Sequence, residues 1–71
     1  MTIRTKEQHM QVEHIRNDRN QLIAIQETAN NRTNIYNSRQ QLLGHYDHKV
    51  NRTYDRSGRD IGSGNQLMRL L

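Results

Sequence analysis

Seventy-one residues hold one domain at most, and the absence of Cys removes disulfides, thiolate metal sites and a cysteine nucleophile. Leu, Ile and Val number 14, with three Met, three Tyr and no Trp, Phe or Pro, a thin apolar stock for a self-contained core. The formal net charge is +4, and nine of the eleven basic residues are Arg, which favours bidentate contact with carboxylates and phosphates over solvation by Lys.

The opening Met-Thr-Ile-Arg-Thr-Lys-Glu lacks the apolar run of a secretory signal, and no apolar stretch is long enough for a membrane-spanning helix. The Asn-Arg-Thr sequons at Asn31 and Asn51 therefore count as coincidence rather than glycan sites. Next, Thr5-Lys6-Glu7-Gln8 fits a capping box, with Thr5 accepting from the Gln8 amide and the Gln8 side chain reaching back. No Pro or Gly interrupts the chain before Gly44, so the sequence predicts a long helix from about residue 5 to 43.

Ile15, Leu22, Ala29, Tyr36, Leu43 and Val50 occupy one position in successive heptads. The residues three before the first five, Val12, Arg19, Gln26, Thr33 and Gln40, are mostly polar, so the second seam of a coiled coil is missing. A single narrow ridge suits a groove supplied by a partner, and Leu22-Ile23-Ala24-Ile25 widens it into the strongest contact zone. Two interruptions are weighed. Asn30-Asn31 could turn the helix into a helical hairpin, and Gly44 could cap or kink it before a short second helix ending near Tyr54.

From Asp55 to Asn65 the chain carries three Gly and two Ser without helical period, and reads as an extended strap. It ends on Leu67, Met68, Leu70 and Leu71, an apolar plug expected to tether a partner rather than fold back. The expected fold class is thus all-α: one long amphipathic helix over 1–54, kinked near Gly44 or turned at Asn30-Asn31, then an extended tail over 55–71, with no self-contained globular core. Asn-Arg-Thr occurs at both 31–33 and 51–53, too short a match in so Asn- and Arg-rich a chain to establish a repeat.

Little catalytic chemistry is visible. His45 and His48 stand three apart beside Asp47, near neighbours on one helix face, but they supply only a pair where zinc needs three or four ligands, and His9 and His14 diverge. The seven carboxylates have no walls to shift their pKa values, the Ser residues lack a nucleophile elbow, and the Gly-rich pieces lack a phosphate-loop ending. No metal, cofactor or catalytic residue is expected, and no broad apolar face suits a membrane surface.

The expectation is a non-enzymatic structural adaptor of a large multi-protein assembly, with a virus or phage particle as its setting. It would dock through Ile15, Leu22, Ile25, Ala29, Tyr36, Leu43 and Val50 and anchor through Leu67, Met68, Leu70 and Leu71. The partners are protein subunits, and the location is a virion or cytoplasmic assembly, neither secreted nor membrane-spanning. The alternative is a basic nucleic-acid-associated protein, such as a ribosome accessory factor, with Arg52, Arg56 and Arg59 on phosphate. A third reading is a helical hairpin that dimerises into a bundle.

Overall fold

The computed structural model describes residues 10–71. Its strands are β1 (Gln11–Arg16), β2 (Leu22–Ala29), β3 (Arg32–Asn37), β4 (Leu42–Asp47), β5 (Arg52–Asp55) and β6 (Asp60–Ser63). They form one antiparallel sheet in sequence order, so each connection is a hairpin, and a 3-10 turn, Leu67–Leu70, follows the last strand. The expected all-α architecture is overturned, and so is the expected lack of a self-contained core, since the described strands form one compact sheet around Ala24, Ile35 and Leu67. Among the described residues that short turn is the helical element, and the anticipated boundary at 54/55 falls inside β5. The stretch expected as an extended strap forms the β5–β6 hairpin and the lead into the turn. The Thr5–Gln8 cap lies outside the described residues.

The cause is side chains that capture backbone amides a helix would need. Asn17 Oδ1 accepts the amides of Arg19 and Gln21 at 2.9 and 3.0 Å. Asn37 Oδ1 does the same for Arg39 and Gln41, and Asp55 Oδ1 for Ser57 and Arg59. In each tip the fourth residue takes a left-handed φ: 62° at Asn20, 65° at Gln40 and 88° at Gly58. The amide of that residue returns to the carbonyl of the first at 2.9 Å. This is a type I turn closed by a left-handed bulge, a common hairpin tip.

At the other end of the sheet Asn30 and Asn31 both have positive φ, 53° and 65°, and join the paired residues Ala29 and Arg32. That is the two-residue turn whose twist matches β-strands, and Asn tolerates it where most residues do not. The chain does turn at Asn30-Asn31, but between strands instead of helices.

The recurrence in the sequence is structural. Ile15, Asn17, Arg19, Gln21 and Leu22 are matched one period later by Ile35, Asn37, Arg39, Gln41 and Leu42. Even the side-chain bond of the first tip, Asn17 Nδ2 to Gln21 Oε1 at 2.9 Å, recurs between Asn37 and Gln41 at 2.8 Å. The period is one hairpin plus the turn back. It also explains the misleading heptads, because a residue near the end of one strand and one at the start of the next stand seven apart across a tip. Ile15 and Leu22 flank the first tip in this way, and Tyr36 and Leu43 the second.

Ala24, Ile35 and Leu67 are fully buried, and Ile15, Leu43, Tyr46 and Leu70 pack around them. The plug therefore folds back onto the sheet, contrary to the tether expected from sequence. Thr53, also fully buried, fixes that return: its hydroxyl donates to the Gly64 carbonyl at 2.7 Å and accepts the Gln66 amide at 2.9 Å. The Asn65 side chain accepts the Leu67 amide at 3.0 Å. Gly44, expected as a helix cap or kink, instead lies within β4 on the covered face. It lets the turn approach closely, since a Cβ there would meet the Tyr54 carbonyl oxygen and stand 2.6 Å from Leu70 Cδ1.

Gly44→Ala is therefore expected to destabilise the chain by about 1–3 kcal/mol, the usual cost of overpacking. Thermal unfolding followed by circular dichroism checks this. An unchanged midpoint would mean that the turn does not seat on β4.

Candidate functional site

Residues paired across an antiparallel sheet share a face, so the register assigns the two sides. One side carries Ile15, Ala24, Thr33, Ile35, Gly44 and Thr53 and is covered by the C-terminal turn. The other carries the row Glu27, Asn34, His45, Tyr54 and Asp60, and beside it the row Ala29, Arg32, Asp47, Arg52 and Ser63. On this open side a cleft of about 260 Å³ is lined by Ile25, Glu27, Tyr36 and Gln40. A second depression, lined by Met10, Glu27, Ala29, Asn30, Arg32 and Asn34, adjoins it through Glu27.

The open side has an ordered polar surface. His45 and Tyr54 stack with ring centroids 5.1 Å apart, and Arg52 Nε lies 3.5 Å from Asp60 Oδ2. The His45 pKa is lowered, first by burial of the ring, then by the Arg32 charge, with Asp47 opposing. His48 points elsewhere: its Nε2 lies 2.7 Å from Thr33 Oγ1, which in turn lies 2.8 Å from Thr28 Oγ1. The two imidazoles expected on one helix face thus belong to separate networks. No group of three His, Cys, Asp or Glu able to hold a metal ion occurs among the described residues.

The helix ridge predicted as an interface is dispersed by the strands. Ile15 and Leu43 pack on the core, Leu22 is half-buried, and Val50 sits in the β4–β5 turn, 56% exposed. Ile25 and Tyr36 come together because they are directly paired between β2 and β3, and Ala29 lines the second depression. Of the terminal residues, Leu67 is core and Leu70 packs against it, while Met68 and Leu71 remain exposed.

The three predicted phosphate-contacting arginines separate too. Arg52 is engaged with Asp60, whereas Arg56 and Arg59 stand exposed in the β5–β6 tip. Arg19 and Arg39, outside that predicted set, hold the third position of the first two tips at the same end of the sheet. The signal that finds them is the spaced pattern Asn-x-Arg-x-Gln at 17–21 and 37–41.

His45 carries a pH consequence. A folded-state pKa below the ordinary value of 6.5 means that the unfolded chain binds this proton more readily. Its contribution to stability is present above about pH 6.5 and is lost as pH falls toward the folded value. Denaturant midpoints measured from pH 8 to pH 5 should fall more for the native chain than for His45→Gln, and parallel profiles would remove His45 as the cause. No family model matches the chain, and comparison with curated proteins and with solved structures finds no match, so its function is read from the sheet itself.

Proposed function

We propose that this chain is a non-enzymatic structural subunit of a larger multi-protein assembly, which it joins through the uncovered side and the β1 edge of a repeat-built sheet. The supporting observation is how little the fold buries. Among the described residues three apolar side chains are fully buried, and the layer over the sheet is one four-residue turn on one side of six strands. Repeat-built folds gain stability from neighbouring units that continue the burial a single unit cannot complete.

The exposed apolar residues have the distribution such docking needs. Val12, on the edge strand β1, pairs with Glu27 of the open row, and Leu42, at the start of β4, pairs with Tyr36 of the cleft. Both clefts described above are open, and among the described residues the two groups with displaced pKa values, His45 on the face and Asp55 in a tip, belong to different structural tasks. That arrangement supports a scaffold over a catalyst. A virus or phage particle is the setting we propose, supported by the polar composition of the chain and the small core of the described sheet. No helix among the described residues is long and apolar enough to cross a membrane.

Purification from its native source under mild conditions tests the reading. The chain is expected to elute in a particle far larger than its own 8.5 kDa, at fixed stoichiometry. The double variant Val12→Asp with Leu42→Asp is expected to keep its β-type circular dichroism yet leave that particle. A native chain that elutes as a stable monomer with a sharp cooperative melt would overturn the proposal.

A further inference from the structure

A second surface lies at the end of the sheet where the β1–β2, β3–β4 and β5–β6 tips project together. Each tip has the same backbone hydrogen bonds, so the three present their side chains equivalently. They bring together exposed Arg16, Arg19, Arg39, Arg56 and Arg59 against Asp18 and Asp55, five basic and two acidic residues, a local net of +3. Among the described residues none of these five arginines makes an ion pair, since the one bridge present is between Arg52 and Asp60. Asp55 is engaged by the Ser57 hydroxyl and the Ser57 and Arg59 amides, which hold its carboxyl below the usual range.

Tips on every second connection are separated by two strand spacings, roughly 10 Å, or about three stacked nucleotides at 3.4 Å each. Arg19 and Arg39 at the same position of two tips, with Arg56 and Arg59 in the third, form a row without ion pairs among the described residues that matches a polyanion with regularly spaced phosphates. A cleft opens beside this row. Gln40 belongs to the middle tip and also lines the cleft formed with Ile25, Glu27 and Tyr36. Gln40 is the exception among the three left-handed tip positions: Asn20 and Gly58 are residues that tolerate φ > 0, whereas Gln40 holds φ 65° without that tolerance. Strain kept at one of three equivalent positions singles out the side chain that the cleft uses.

We infer that the tip arginines and this cleft together bind single-stranded nucleic acid, with phosphates along the tips and one base in the cleft. This goes beyond the structural role proposed above and does not depend on it. Tyr36 supplies a ring for the base to stack on, the Gln40 amide can both donate and accept, and the Glu27 carboxylate accepts from an exocyclic amine. Bases bearing an exocyclic amine, cytosine, adenine and guanine, are therefore favoured over thymine and uracil. A duplex fits less well because its bases cannot leave the stack to enter the cleft.

Fluorescence anisotropy of the full chain with 5′-labelled dC20, dT20 and a mixed-sequence duplex tests the inference. Three phosphate contacts on a single strand give a log–log salt slope near −2, so affinity for dC20 should fall roughly 20-fold between 50 and 200 mM salt. Arg19→Gln with Arg39→Gln should reduce that slope to about −0.7, whereas the charge-matched Arg32→Gln with Lys49→Gln, remote from the tips, should leave it near −2. Tyr36→Leu, which keeps an apolar side chain, should weaken dC20 binding about tenfold, with folding checked by circular dichroism. Equal losses in the two double variants, dT20 binding as tightly as dC20, or duplex binding as tightly as single strand, would each overturn the inference.

Discussion

Everything in this fold depends on a carboxamide or carboxylate accepting two backbone amides, two and four positions ahead of it. Asn17, Asn37 and Asp55 each do so, and the geometry obliges the chain to reverse at once. Each reversal fixes which residues pair across the strands, and pairing fixes which side of the sheet every side chain takes. The core face, the open face and the row of arginines at the tips all follow from where those three side chains stand in the sequence.

That constraint also explains how so polar a chain is organised. A sheet built from adjacent hairpins makes its contacts between neighbours in sequence, so little loop-closure entropy opposes each addition. Its core is correspondingly small. Ile35 on β3, Ala24 on β2 and Leu67 from the terminal turn make up the buried cluster, and Gly44, lacking a side chain, leaves the space that Leu70 enters. Thr53 is fully buried and ties the end of the chain by two hydrogen bonds. Hydrogen-bonded polar burial of this kind specifies position more than it adds stability.

How much of this was legible in the sequence varies by feature. The small apolar stock is readable from composition, and residue type marks Asn30-Asn31 as an interruption without deciding that the chain turns there. The secondary structure is not readable from periodicity, because residues seven apart across a hairpin tip mimic a heptad; Ile15 with Leu22 and Tyr36 with Leu43 show how. The decisive signal lies in the polar residues. Asn-x-Arg-x-Gln appears at 17–21 and again at 37–41, and a variant with Asp and Gly follows at Asp55–Arg59. Composition counts these Asn residues as weak helix formers, whereas position identifies them as turn formers. The fate of Leu67 and Leu70 could not be read at all, since the receiving surface exists only after β2, β3 and β4 align.

The repeat has an evolutionary meaning. Duplication or loss of one complete period transfers a whole hairpin and its return turn, and leaves inward residues inward and outward residues outward. An insertion of one residue within a strand inverts everything between it and the next bulge. The gene segment encoding one period is therefore a natural unit of growth, and homologous chains of this architecture should differ in length by multiples of it.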